Sequence, residues 1–502
     1  VLGTLPPEAA GLLALFALTL LPGLLVVRAP WTVVPALSVA FWTLSWWWLP
    51  LVGRFRILQA TLLLFGLLAL LRLLPRHTVP PPPGYTGPAP PPPVRGPTTG
   101  DVPKLRSAPS LLIVAVAIAM AVPWPLWPHA PGQEMAFHTT SARLAVWRDG
   151  PPASYEPLLP LTPFGAHAPA LPTLAADVSL LTGLDPGRSV VAVAQLSAAL
   201  LLLGFFAVLG TRLRPPSAAL AALLGLATAP WPGFLTLWGE GGPVLALALG
   251  LSGATLFIGH SSRPSAVAAG MLLAGAILAQ PLLALTIVLM LAVPVGSTVP
   301  GSTRPGGAEA SSSEGGPSGD PGHGHRFLVV LGVAAVLAAP ALVRVGRALS
   351  AREAGAVLRS PRAEEIAQFV TGLALLALAV LLAHLLGQPR LRPGVLAVAL
   401  FGVCAAFLLV SVHAAPAPGQ LAPDRLRTLA RLAEEARPLQ AVCAPPGLVD
   451  WVPALAGRPA GSSRTSRAQP WVPHVFRDEL RLASPPPCTK RLDPAPMTSF
   501  DE

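Results

Sequence analysis

The chain has 502 residues, of which 53% are hydrophobic and only 11% charged, and it carries a formal net charge of +11. A mean hydropathy of +0.62 lies outside ordinary soluble composition. Its continuous apolar runs, such as Leu111 to Val122, Ser197 to Leu209 and Val370 to Leu386, exclude a closed barrel, whose strands would read as alternating segments of about ten residues.

In chain order, the apolar runs predict about twelve membrane spans. They lie near Gly11 to Val27, Trp31 to Val52, Ile57 to Leu74, Ser110 to Trp127, Val190 to Leu209, Ala218 to Leu237, Pro243 to Gly259, Ser265 to Ala279, Pro281 to Val295, Phe327 to Val343, Ile366 to Leu386 and Val395 to Val412. The expected fold class is therefore an all-α polytopic membrane protein. Leu12 to Val27 has the apolar core of a signal peptide but no basic leader, and reads as a first span. The short pair meeting at Gln280-Pro281 reads as two spans, one kinked span or a re-entrant pair, because proline removes a backbone donor there.

Two low-complexity linkers divide these spans. Pro80 to Pro103 is proline-rich and predicts extended polyproline II; Gly296 to His325 is rich in Gly, Ser and Pro and predicts flexible coil. The expected organisation is 1–79 N-terminal spans, 80–109 linker, 110–295 transmembrane core with an outer loop at 128–189, 296–326 linker, 327–412 C-terminal spans and 413–502 a small appendage. His323 and His325, in a Gly-His-Gly-His tract of the second linker, read as solvated and not as metal ligands.

The basic residues are almost all Arg, spread through short loops at span ends with no aromatic interleaving, so no nucleic-acid partner is expected. Arg72, Arg76, Arg95, Lys104 and Arg106, with Arg212, Arg214, Arg263, Arg304, Arg326, Arg390 and Arg392, fall on one side by span counting, which predicts that side to be cytoplasmic. Arg344 to Arg362 runs against this bias. The loop Gln133 to Gly183 and the C-terminal part are then expected to face outward, with membrane lipids as partners.

After Val412, a helix is predicted from Pro423 or Asp424 to near Ala436, with Leu426, Leu429, Leu432 and Ala433 at helical spacing, then a short strand at Leu439 to Cys443 and a proline-rich tail. This makes a small α/β or irregular appendage. No CxxC or Cys/His spacing points to a zinc or redox site, and Cys443 with Cys488 is a candidate disulfide if the appendage is extracytoplasmic.

Polar chemistry gathers in the loop between the fourth and fifth spans. A helix opening near Glu134 and stopping at Gly150-Pro151 puts Glu134, His138, Ser141 and Arg148 within an arc of roughly 80°. Phe137, Leu144 and Trp147 then form a neighbouring apolar stripe, as expected of an interfacial helix with its polar face toward a substrate. A second helix is predicted from about Phe164 to Thr182, ending at Gly183, with His167 near its start and Pro169 and Pro172 confining its first turns. Acids and histidines collected in one loop of a membrane protein point to a reaction centre or substrate path. Taken singly, Glu134 is also what a helix start favours, and the arginines are what headgroups attract.

Several runs resemble the GT-C superfamily of polyprenyl-phosphate-sugar-dependent membrane glycosyltransferases, in particular its poorly characterised bacterial members. They are Glu134-Met135-Ala136-Phe137-His138, Pro163 to His167, the Leu-Leu-Thr-Gly-Leu helix end at Leu180 to Leu184, Trp238-Gly239-Glu240-Gly241-Gly242-Pro243, and Trp451 to Arg458. The resemblance implies a multi-pass protein of the bacterial plasma membrane, a lipid-linked sugar donor and an extracytoplasmic acceptor. It also implies an outer-loop carboxylate as general base, Glu134, assisted by His138. Arg143 and Arg148 become candidates for the donor phosphate, with Tyr155, Glu156, His167, Trp238 and Glu240 as further substrate contacts. No metal ligand is assigned and no cofactor is certain; a divalent metal is compatible with this chemistry. Two other readings are a secondary transporter or lipid permease and a noncatalytic scaffold that keeps the fold. Against the transporter, no internal repeat is evident.

Overall fold

The computed structural model describes residues 6–25, 30–52, 61, 64, 66–68, 107–122, 129, 133–159, 169–211, 213–227, 241–260, 262–292, 321–349, 421, 423–437, 440–444, 451–459 and 490–491. Both expected spans between 366 and 412, the linker Pro80 to Pro103, most of the third span and of the second linker, and the tail from Gly461 to Thr489 lie outside the described residues.

The described residues are mostly helical. Helix α1 (Pro7–Leu20) opens with proline, whose missing N–H is no loss in a first turn. After a 3₁₀ turn at Gly23–Leu25 the chain returns in α2 (Val34–Val52). The two are stitched at their junction: the Gly23 N–H donates to Ser38 Oγ at 2.9 Å, and the Trp42 indole donates to the Leu21 carbonyl at 3.2 Å. Next come α3 (Ala108–Ala121), α4 (Gln133–Arg148) and α5 (Ala170–Thr182), then the long α6 (Pro186–Gly210) and α7 (Pro215–Ala227). The core is completed by α8 (Gly241–Gly259), α9 (Arg263–Ala279), α10 (Pro281–Ala292) and α11 (Pro321–Leu349). The appendage contains α12 (Pro423–Glu435) and the parallel strands β1 (Val442–Cys443) and β2 (Lys490–Arg491), with a π-helical turn at Val452–Ala456 between them.

Among the described residues, four segments are long and apolar enough to cross a membrane: Glu8–Leu25, Pro186–Gly210, Gly241–Gly259 and Gly324–Val343. They occupy different places. α8 is the axis of the bundle, buried from Gly241 through Phe257. α11 is peripheral, and its Leu328, Val336, Leu342 and Val343 are exposed, as is Phe16 of α1. Apolar residues exposed in this number are what lipid contact requires, since a soluble surface of this kind would aggregate.

The axis packs closely because small residues line it. On α6, Gly204 lies against the Ala248 carbonyl and Leu251 of α8; Ala194 is near Gly241, and Thr211 near Gly259. These three levels come in the same order along both helices, so α6 and α8 run parallel and the stretch between them must return the chain. α9 runs antiparallel to α8, with Gly253 against Ala269 and Leu272, and Gly275 against Leu249.

The Gln280-Pro281 break resolves as a reversal. Gln280 is extended (φ −163, ψ 104), and Ile287 of α10 comes back to Gly250, close to the level where Gly275 of α9 meets Leu249. A continuous helix would separate residues 275 and 287 by about 18 Å along its axis, so one kinked span is excluded. In the second linker, residues 321–325 are not coil; they open α11, with His325 exposed.

Candidate functional site

Helix α4 starts and stops as its residues dictate. Asp149 (φ 50) and Gly150 (φ 153) leave helical geometry, and Pro151 cannot resume it. α5 ends at Gly183, whose φ of 74 is left-handed and favours glycine, and Asp185 caps α6 by accepting from the Gly187 N–H at 2.8 Å. The start of α5 at Ala170 is later than expected, because Pro169 occupies the cap position; residues 160–168, with His167, lie outside the described residues.

The division of α4 into a substrate-facing polar side and an interfacial apolar side is corrected. His138, Thr139, Thr140 and Ser141 are all buried, as are Met135, Phe137, Leu144 and Ala145, while Trp147, from the apolar stripe, is exposed. The helix is embedded, packed by α5, α6 and the turn Val452–Ala456. A wheel sorts residues by polarity, but short hydroxyl side chains are buried at little cost when they bond their own helix. Thr140 donates to the Ala136 carbonyl at 2.9 Å and Ser141 to the Phe137 carbonyl at 2.8 Å.

Glu134 stands in the first turn of α4, and its side chain lies outside the described residues. The residue after it is informative. Met135 packs on Gly241: a Cβ added to Gly241 would stand 3.0 Å from Met135 Cε and 2.3 Å from Leu171 Cδ1. A side chain at this position would have to displace the tips of Leu171 and Met135, so glycine suits the close approach of α4, α5 and α8. Because Gly241 follows Glu240 in the sequence, the contact joins chain positions next to both acids; Trp238 and Glu240 themselves lie outside the described residues.

The remaining candidates disperse. Arg148 is exposed at the other end of α4, about 21 Å along the axis from Glu134. Tyr155 is buried with its ring 4.9 Å from that of Phe137, and Glu156 is exposed. Arg143 is largely covered: its Nε donates to the Ala454 carbonyl at 2.8 Å, and its Nη2 bonds Asp185 Oδ2 at 2.7 Å and the Leu455 carbonyl at 3.4 Å. Phe137 and His138 stack edge-on at 6.4 Å.

Three residues of this end were given no individual role by the sequence, Arg458 entering only as the last residue of the run from Trp451. Asp177 of α5 is fully buried, and among the described residues neither carboxylate oxygen has a hydrogen-bond partner. Burial pushes its pKa well above the usual carboxylate range, and the Trp46 indole N–H, short of good hydrogen-bond geometry, offsets this only in part. An acid inside the apolar run Ala-Leu-Pro-Thr-Leu-Ala-Ala-Asp was the available signal. His129 is buried, accepts the Leu421 N–H at Nε2 (3.2 Å) and lies 4.7 Å from the Trp451 ring. Arg458 donates to the carbonyls of Ala433 and Ala436 at the end of α12. No local pattern marks these long-range partners.

Among the described residues no group of three or more His, Cys, Asp or Glu side chains is arranged to hold a metal. Cys443 of β1 is disulfide-bonded. Comparison of the chain with protein-family models, curated proteins and solved structures finds no match.

Proposed function

We propose that the protein is a GT-C-type membrane glycosyltransferase of about twelve spans. It moves a sugar from a polyprenyl-phosphate donor to a hydroxyl acceptor at the outer face of a bacterial plasma membrane. The observation that carries this reading is the contact of Met135 with Gly241, which joins the chain next to Glu134 to the chain next to Glu240 at one end of the bundle. The acceptor hydroxyl attacks the anomeric carbon, its proton passes to the Glu134 carboxylate, and the bond to the phosphate oxygen breaks with inversion, releasing polyprenyl phosphate. His138 supports the base one turn along α4, and Glu240, Trp238 and His167 contact the substrate. The docking of the appendage against α4 supports a common side for both.

Helix geometry narrows the roles of the arginines. A general base and the leaving phosphate must both lie within a few ångströms of one carbon, and Arg148 is about 21 Å from Glu134 along the axis. We therefore assign Arg148 to lipid headgroups or a remote part of the acceptor. The donor phosphate needs other hydrogen-bond donors.

The test uses the purified full chain with a short-chain polyprenyl-phosphate sugar and a hydroxyl acceptor. Glu134→Gln should lower turnover by roughly 10² to 10⁴ while donor binding is retained. Wild-type turnover in this variant removes Glu134 as the base. A second reading, a proton-coupled transporter, is favoured by Asp177, a buried acid with no counter-charge among the described residues. It predicts a proton flux driven by substrate in vesicles and no transfer product.

A further inference from the structure

The C-terminal segment 451–459 crosses more of the molecule than its length requires. It begins with Trp451 against His129, and His129 also receives the Leu421 N–H. Its middle is held by Arg143, whose guanidinium spans the carbonyls of Ala454 and Leu455 and the carboxylate of Asp185. Leu455 rests on Gly187 in the first turn of α6, 3.2 Å from where a Cβ would stand. Gly457, at φ 62, lies against Trp147 and the Arg143 stem. The segment leaves through Arg458, which caps α12, and through the Pro459 carbonyl, which accepts the Val442 N–H of β1 at 2.9 Å.

From this we infer that segment 451–459 is a strap that sets the position of α4, and that Arg143 is the positioning residue through which the C-terminal appendage controls chemistry at the start of that helix. The inference rests on the proposed transfer reaction for its kinetic part only. Among the described residues of α4, Arg143 hydrogen-bonds the strap and also reaches the cap of α6. Its side chain is 13% exposed, against 47% for Asp185, so the ion pair is screened on one side and closed on the other. Because Asp185 both caps α6 and pairs with Arg143, loosening the strap disturbs the two helices together. A base displaced by about 1 Å loses on the order of 10²-fold in rate, so a strap that does not touch substrate still governs kcat.

Ala454 is fully buried on the docked strap itself, which makes Ala454→Cys a reporter of docking in the full chain. With Cys404 replaced by Ser, this cysteine should resist a maleimide in the parent and react at least tenfold faster when Arg143→Ala is added, with Asp185→Asn intermediate. Arg143→Ala should lower kcat about 10- to 100-fold with donor KM within about threefold. Arg143→Lys should recover only part, because an ammonium cannot span three acceptors in a plane. Gly187→Cys with Leu455→Cys, joined by a short bis-thiol reagent, should restore kcat in the Arg143→Ala background by pinning the strap. If Ala454→Cys reacts equally in parent and Arg143→Ala chains, or if kcat survives strap release, the inference is overturned. If the parent transfers no sugar, the proposed function fails, while cysteine protection still decides whether Arg143 holds the strap. Should Arg143→Ala not fold, Arg143→Lys and Asp185→Asn carry the same comparison.

Discussion

At one end of α8, Arg326 reaches from α11 to donate to the carbonyls of Phe257 and His260, with its guanidinium 5.0 Å from the Phe257 ring. At the other end, Gly241 lies bare against Met135 and Leu171, and the buried acid Asp177 faces an indole. The first end is closed by a cation that satisfies helix-terminal carbonyls. Burial, with the Arg326 charge beside it, also holds the His260 pKa below its ordinary value. The second end is assembled from small residues, hydroxyls and a carboxyl group with no counter-charge among the described residues. Arg143 and Arg458 behave like Arg326, each donating to main-chain carbonyls where separate segments meet. At these three places arginine is a clasp, so an arginine near an acid is weak support for a phosphate site.

The strongest way to break this contrast is at the clasped end, where α9 and α11 touch. A Cβ at Gly270 would stand 2.7 Å from Val333 Cβ and 2.8 Å from the Val330 carbonyl oxygen, whereas one at Gly332 meets nothing within 4 Å. Backbone cannot give way as a side-chain tip does, so Gly270→Ala should destabilise by about 1–3 kcal/mol. Gly332→Ala should stabilise by about 0.5–1 kcal/mol through helix propensity. Thermal unfolding in detergent, followed by tryptophan fluorescence, reads both. Equal effects of the two alanines would mean that α9 and α11 are not in this contact, and that end would lose its second support.

At the loop end the corresponding test is a pH dependence. Asp177 is more basic when folded than unfolded, so between pH 3.8 and its raised folded value the native state holds more protons than the unfolded chain. Stability then falls as pH rises through that window, by at most about 1.4 kcal/mol per unit, and levels off above it. Among the described residues, burial and the Trp46 N–H account for the shift. Asp177→Asn removes the ionisation with little change of shape, and its melting temperature should lack this fall. A parent and variant with the same slope would show that Asp177 is already ionised or already exposed.

What could be read beforehand follows the range of the interactions. Helix ends were legible at Asp149-Gly150-Pro151, at Gly183 and at Pro423, because caps and breakers act within a few residues. The reversal at Gln280-Pro281 was visible as a break, but its sense needed Ile287 to meet Gly250 across the bundle. The burial of α4 was not legible. Its third side is covered by residues 452–456, more than three hundred positions away, and a helical wheel has no knowledge of what covers a face. The same distance hid Arg143: guanidinium chemistry fits phosphate and carbonyls alike, and only the docked strap decides that its donors are occupied here. The disulfide of Cys443 was foreseen as a pairing with Cys488, which lies outside the described residues; β2, two residues beyond it in sequence, pairs with β1.

The smallest expected effect belongs to Arg148, and it sharpens the distinction between clasped and unclasped arginines. Its exposed side chain at the last turn of α4 interacts favourably with the helix dipole and reaches solvent or headgroups. If the transfer centre is at Glu134, Arg148→Ala should leave kcat within about twofold, because some 21 Å of helix separates the two. Stability should change by no more than about 0.5 kcal/mol, the usual scale for an exposed site. Arg143→Ala, five residues earlier and clasped by the strap, should lose far more in kcat. Measuring both variants in parallel on a short-chain donor separates two uses of the same residue. A large rise in donor KM for Arg148→Ala with Arg143→Ala unaffected would place the donor phosphate at the C-terminal end of α4. The base would then have to be sought near Glu156, away from the Met135–Gly241 contact.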